Sequence, residues 1–434
     1  MTSWNDLTGV LSAFLAALSL VLLLVRTERG ARLRSALGRA LERLTGRAHL
    51  SWLQWWHVAT VAALAIGTVM GFDLATGLYA CPGAGTPSDL VGFLGQGQAL
   101  WTGGNPFNVP DCGTKILEPD GLAAVLINGL GSLGGPTGIA VVWGAIAVAL
   151  IPLTWWVAGP DRRYLTLVVA ANPLYFPLVA TQIDGAANAL VPATVLLTLF
   201  LATRSEPRAT GLAGFLATQR FPTFFPILGM SGSFRRRWAA AAALIAVFAA
   251  GTGIAFLFWG SEFLGPVFVD QLGRRSFSLN LWGVFLLENL VPSGHGLTIV
   301  QAALTLVLVG IVFFAVRSPL RAAAITITGV ALLTQFLSFN ILVWLLPVAL
   351  VGARPRWWIW GIAVVGTINY RYALPAAVGT PGILWPSALL DILLSAMLLG
   401  LLIDLWRTGD PDPSGGPVHP SGPSPASGKD YLAA

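Results

Sequence analysis

The chain has 434 residues, of which 55% are hydrophobic and only 10% charged, with a mean hydropathy of +0.74. An ordinary soluble domain carries roughly 25% charged residues, so this composition excludes a soluble core and calls for contact with lipid. The formal net charge of +6 does not point to nucleic acid, because the arginines stand in short blocks between apolar stretches.

The first apolar stretch, Leu7 to Val25, has no positively charged segment before it and no small-residue cleavage site before the arginines, so it reads as a retained helix. Arg26, Arg29, Arg32, Arg34, Arg39, Arg43 and Arg47 follow, against Glu28 and Glu42 alone. The excess of basic residues puts this loop in the cytoplasm and the N-terminus outside. Within it Leu33, Leu37, Leu41 and Leu44 recur at helical spacing among the arginines, which suits a helix lying in the headgroup region. Residues 1–51 therefore form an N-terminal span and a cytoplasmic amphipathic helix.

Residues 52–408 read as the transmembrane domain. Spans are expected at 52–72, 136–158, 164–180, 186–203, 238–259, 297–316, 357–372 and 387–405, running outward and inward in turn. With the first stretch they make about nine full crossings of a hydrocarbon core roughly 30 Å thick. Arg162, Arg163, Arg204, Arg208, Arg235, Arg236, Arg237, Arg317, Arg321, Arg354, Arg356 and Arg407 then all lie on the cytoplasmic side.

Two apolar segments, 209–234 and 322–353, have cytoplasmic arginines at both ends and are interrupted by Gln219-Arg220-Phe221-Pro222 and by Ser338-Phe339-Asn340. Each reads as a broken, re-entrant helix pair, since irregular backbone at membrane depth is tolerated only where protein or water covers it. Two ordinary helices with short outer turns are the alternative. Residues 409–434, rich in Pro, Gly and Ser, read as a disordered cytoplasmic tail. The fold class expected is all-α, a polytopic transmembrane helix bundle with an extracytoplasmic loop region.

That loop is 73–120, and it contains both cysteines, Cys81 and Cys112. A disulfide between them suits an outer loop with little core of its own, and two separate thiols are the alternative. Asp89 follows Pro87-Ser88 at the start of an apolar helical pattern. There a carboxylate serves either as a helix cap or as a general base that takes a proton from an attacking hydroxyl. Asp184 follows Gln182 between two spans and is open to the same cap reading. Arg220 is the basic residue assigned to membrane depth, where a charge needs a partner or a task. Arg274 and Arg275 stand outside against the charge rule, as does Arg371 between Tyr370 and Tyr372. A guanidinium fork suits a phosphate, while lipid headgroups are the competing partner. His295 reads as a loop residue without supporting metal ligands. No cofactor is read from the sequence, and a divalent metal requirement stays open.

The order of these features resembles the membrane-embedded GT-C glycosyltransferases, most closely the bacterial polyprenyl-phosphate-mannose-dependent mannosyltransferases of the GT87 type. The resemblance rests on Asp89, Phe93 and Gly103-Gly104-Asn105-Pro106-Phe107, then Asn172-Pro173 with Thr181-Gln182-Ile183-Asp184-Gly185, then Arg220-Phe221-Pro222, and finally Phe339-Asn340 leading to Trp344-Leu345-Leu346-Pro347. Phe93 and Phe107 stand where the family commonly has tyrosines, Arg220 replaces a lysine, and Val343 replaces an aromatic. The resemblance covers about 52–405. It implies an inverting hexosyltransferase of the bacterial cell (plasma) membrane that moves a sugar, mannose first among the candidates, from a polyprenyl-phosphate donor to an envelope glycolipid or glycan. Asp89 would be the catalytic base. Arg220, Arg274, Arg275 and Arg371 would hold the donor phosphate, while Gln182, Asp184 and Asn340 would line the sugar or acceptor pocket. The rival reading is a transporter or flippase for a lipid-linked or anionic substrate, which should carry internal repeats. The two broken segments differ in surrounding sequence, and loop 73–120 has no counterpart.

Overall fold

The computed structural model describes residues 88–111, 114–115, 121–158, 187–219, 221–265, 295–334, 337, 339–352, a discontinuous set between 354 and 369, and 384–408. The expected features at 7–25, 33–47, 52–72, 164–180 and 409–434 lie outside the described residues. In chain order the helices are α1 Ser88–Thr102, α2 Leu122–Ser132, α3 Gly135–Ala158, α4 Leu190–Ala202, α5 Glu206–Ala217, α6 Phe224–Ser231, α7 Arg237–Trp259, α8 Ser261–Leu264, α9 His295–Ala315, α10 Pro319–Leu333 and α11 Leu384–Arg407. Short 3₁₀ helices occupy Phe221–Thr223 and Phe339–Leu350. A two-residue ladder pairs β1 Pro110–Asp111 with β2 Thr114–Lys115, Pro110 opposite Lys115. Apart from that ladder, the regular elements among the described residues are helical.

Three of these helices contain stretches long and apolar enough to cross a membrane, Gly135–Thr154, Arg237–Trp259 and Ala388–Arg407. They coincide with the spans read at 136–158, 238–259 and 387–405. Large apolar side chains cover their outer faces and that of α9: Leu257 is 82% exposed and Phe314 66%. Water would penalise such a surface, whereas lipid tails would not. The inner faces carry small residues. Gly214 of α5 lies against the backbone of Leu244 so closely that a Cβ would stand 2.6 Å from its carbonyl oxygen. Ala213, Ala217, Ala240 and Ala241 are buried at the same seam. Helices in lipid associate through such close backbone approach, because burial of apolar surface gives little drive there.

The arginine-flanked helix ends meet in one layer. Trp156 near the end of α3 stacks on Phe200 of α4, ring centroids 3.6 Å apart. Both carboxylate oxygens of Glu206, first residue of α5, accept backbone N–H groups at the start of α7, from Arg235 at 2.9 Å and Arg236 at 2.8 Å. Ser233 donates its hydroxyl to the Val316 carbonyl at 2.8 Å, and Trp238 packs on Phe313 and Phe314. Arg321 donates from Nε to the Leu405 carbonyl at 2.8 Å and also to that of Trp406, while Arg354 pairs with Asp404 at 3.5 Å. These bonds satisfy helix-terminal groups that have no partner inside their own helices.

The same contacts show the course of the first broken segment. α5 rises beside α7 in parallel, Glu206 at Arg235 and Arg236, Gly214 at Leu244, and Thr218 at Gly251. It stops at Ala217, and Pro222, which lacks an N–H, stands in the turn that follows. α6 then descends until Gly232 meets the backbone of Phe313 and Ser233 reaches Val316. The segment thus returns to the end from which it started. In the second, α10 ends at Leu333, where Thr334 turns extended (φ −71°, ψ 137°). Of the residues expected at the break, Phe339 and Asn340 open the 3₁₀ helix that follows, and Ser338 lies outside the described residues. Its ends, Arg321 and Arg354, both reach the last turn of α11.

If the arginine layer is cytoplasmic, cysteines placed at opposite ends label differently in intact cells. With Cys81 and Cys112 replaced by serine, Thr102→Cys should react with a membrane-impermeant maleimide from outside, and Arg208→Cys only after permeabilisation. The reverse pattern would contradict the orientation.

Candidate functional site

At the end of the bundle away from the arginines, the Gly103-Gly104-Asn105-Pro106-Phe107 turn docks on the α7–α8 corner. Gly103 has φ +74°, a backbone conformation that disfavours any side chain. Asn105 holds the turn in two ways: its Oδ1 accepts the Phe107 N–H at 2.9 Å and its Nδ2 donates to Glu262 at 2.6 Å. Phe107, 3% exposed, inserts edge-on between Trp259 and Phe263, with centroids at 5.3 and 4.9 Å.

The tip of the first broken segment meets this region. Gly121 donates its N–H to the Gln219 carbonyl at 2.9 Å, and the Ala123 N–H donates to the Thr218 hydroxyl at 3.1 Å. A Cβ on Gly121 would fall 1.4 Å from the Thr218 carbonyl oxygen, so only glycine permits the contact. The start of α2 and the last residues before Arg220 are thereby held together.

Helix α1, whose second residue is Asp89, runs antiparallel to α2. Helical spacing sets positions 89, 93 and 96 on one stripe. Phe93 is buried against Trp143 of α3, centroids 5.8 Å apart. Gln96 closes a hydrogen-bond chain: Trp143 Nε1 donates to Asn128 Oδ1 at 2.8 Å, and Asn128 Nδ2 donates to Gln96 Oε1 at 2.8 Å. An indole can only donate, so both amide orientations are fixed. The chain ends in Gln96 Nε2, a fully buried donor without an acceptor.

Other buried polar groups occur at the same level. Among the described residues, Gln219, 1% exposed, has neither Oε1 nor Nε2 bonded, and the hydroxyl of Thr223, also 1% exposed, has no partner. Gln301 Nε2 on α9 is likewise unpartnered. Asn188 accepts from Trp344 Nε1 at 3.3 Å, and Asn369 donates to Asp391 at 2.5 Å. At about 1.5 Å per residue, Gln219 stands ~20 Å along its helix from Glu206, Asp391 ~21 Å from Leu405, Gln301 ~22 Å from Val316 and Asn188 ~24 Å from Arg204. A polar layer therefore crosses the apolar bundle at one height. An unpaired buried polar group costs about 1–3 kcal/mol; Gln219 and Thr223 stand four residues apart at the first break, whereas Asp404 Oδ2 is a further such atom at the arginine end.

Of the residues expected at the site, Arg220, Arg274, Arg275, Arg371, Gln182, Asp184, Cys81 and Cys112 lie outside the described residues. Asp89 and Asn340 are placed by backbone only, in the first turn of α1 and in the 3₁₀ helix. His295, expected in a loop, opens α9. Gln96, Asn128, Gln219, Thr223 and Gln301 escaped sequence reading. Their signal was present as amides and a hydroxyl amid apolar runs, but periodicity cannot tell a paired amide from an orphan. No group of metal-ligating side chains occurs among the described residues. In comparisons with known proteins, no family model matches the chain and no curated protein matches it.

Two substitutions test this geometry by thermal unfolding in detergent. Gly121→Ala must push α2 off the hairpin tip and should destabilise the protein by about 2–4 kcal/mol. Asn128→Leu leaves the Trp143 N–H and the Gln96 carbonyl unpaired and should cost a similar ~2–4 kcal/mol. Melting like the unaltered protein in either case would contradict the contacts described.

Proposed function

We propose that the chain is an integral membrane glycosyltransferase of the GT-C type that moves a sugar from a polyprenyl phosphate to a glycan or glycolipid hydroxyl on the outer face. The observation that carries this reading is the polar layer. The unpartnered buried amide of Gln219 and hydroxyl of Thr223 stand on either side of Arg220 in the sequence, and Gln219 is bonded through its carbonyl to the start of α2. A lipid-linked sugar phosphate has an apolar tail that can stay in the bilayer and a polar head that needs such a layer. The orientation with the arginine layer inside, about nine crossings and two re-entrant pairs belongs to the same reading. It is supported by the return of both broken segments to the arginine end.

In the reaction proposed, Asp89 takes the proton of the acceptor hydroxyl as its oxygen attacks the anomeric carbon. The bond from that carbon to the phosphate oxygen breaks, the configuration inverts, and polyprenyl phosphate leaves with the electron pair. Arg220, with Arg274, Arg275 and Arg371, would stabilise the negative charge on the departing phosphate, work suited to fixed guanidinium groups. Gln182, Asp184 and Asn340 would line the sugar or acceptor pocket. Removing a general base costs typically 10²–10⁴-fold in rate.

Asp89→Asn should therefore lower sugar transfer from polyprenyl-phosphate mannose, measured in reconstituted vesicles with an envelope lipid extract as acceptor, by at least ~100-fold without loss of folded protein. Unchanged transfer would contradict the role of Asp89. Absence of transfer by the native protein with any polyprenyl-phosphate sugar would favour a transporter.

A further inference from the structure

Three unbonded polar atoms sit within five residues at the hairpin tip: both ends of the Gln219 amide and the Thr223 hydroxyl. The main chain at Gln219 is held on both sides. The Gln219 N–H donates to Leu216 at 3.0 Å, its carbonyl accepts from Gly121, and the adjacent Thr218 side chain bridges Phe215 and Ala123. Both side chains are 1% exposed and have no hydrogen-bond partner among the described residues. An amide offers donors on one side and an acceptor on the other, and a hydroxyl offers both. A phosphate oxygen could use only the donors, so the Gln219 Oε1 acceptor would stay unsatisfied against it. The ligand that satisfies all three atoms must itself carry donors and acceptors, as adjacent hydroxyls of a sugar do.

Resting on the glycosyltransferase reading above, we infer that Gln219 and Thr223 form the subsite for the sugar hydroxyls of the polyprenyl-phosphate donor, flanking the arginine proposed for its phosphate. The pair recognises the sugar and leaves the phosphate and the polyprenyl tail to other groups. Their loss should remove the increment in affinity that the sugar adds and spare what the lipid phosphate contributes. A site that discriminates by buried hydrogen bonds loses much when its partner atoms go unpaired, which makes this increment the quantity to read.

The test uses the full-length protein in nanodiscs and two probes, a short-chain polyprenyl phosphate and the same lipid phosphate carrying mannose. Gln219→Met and Thr223→Val are close in shape to the native side chains and remove orphaned polar atoms, so both variants should melt no lower than the native protein. Each should bind the bare lipid phosphate within twofold of the native affinity and bind the mannosylated lipid at least tenfold more weakly. An unchanged sugar increment in both variants overturns the inference while leaving the glycosyltransferase reading standing. Equal weakening of both probes also overturns it, since the residues would then act on the phosphate or on the fold. Native protein that binds neither probe defeats the glycosyltransferase reading itself, and the subsite with it.

Discussion

Glu206 sets the frame on which the rest of the molecule depends. Its carboxylate takes two backbone N–H groups at the start of α7, groups that a helix leaves without internal partners. That pairing ties the first turn of α5 to the two residues that lead into α7, and everything between, a rising helix, a broken turn and a descending helix, must close as a loop within the bundle. With both ends tied at the arginine layer, the turn between them is carried ~20 Å into the apolar region. Gly121 then holds it there from the other side through the Gln219 carbonyl.

What the tie places at that height is polar. In a hydrocarbon environment every broken backbone turn must find partners from protein or from a water-filled space. The main chain of Thr218 and Gln219 does find them, in α2 and in the last turn of α5. The side chains of Gln219 and Thr223 do not. Gln96 presents a third such group, at the end of a chain whose direction the Trp143 indole dictates. A bundle built only for stability would fill these positions with leucine or alanine, which it does at the neighbouring seams. Under the proposed orientation the polar layer falls in the outer third of a core about 30 Å thick, where the head of a lipid-linked substrate could enter from the outer face.

The sequence was a good guide to the parts governed by short-range chemistry. Apolar runs located α3, α7, α9 and α11, and Gln219-Arg220-Phe221-Pro222 marked the first break because proline cannot continue a helix. At the second break α10 ends at Leu333, and Phe339 and Asn340 open the 3₁₀ helix Phe339–Leu350, which carries the same apolar pattern as an α-helix would. The loop motif Gly103 to Phe107 was legible as a motif but not in its work. Only the contacts with Glu262, Trp259 and Phe263 reveal that it docks on the α7–α8 corner. The amides of the polar layer were the least legible part, because pairing between different helices, across 32 residues for Asn128 and Gln96 and 156 for Asn188 and Trp344, leaves no local trace.

The central claim is that the head of a lipid-linked sugar phosphate occupies the polar layer at the hairpin tip. Photocrosslinking in native membranes with a polyprenyl-phosphate mannose that carries a diazirine on its first isoprene unit, followed by peptide mapping, addresses it most directly. Saturable labelling of the peptide spanning 217–224 and of the α1 helix, suppressed by excess unmodified donor, is the expected result. Labelling confined to the lipid-facing surfaces of α7 and α9, and insensitive to competitor, would contradict it.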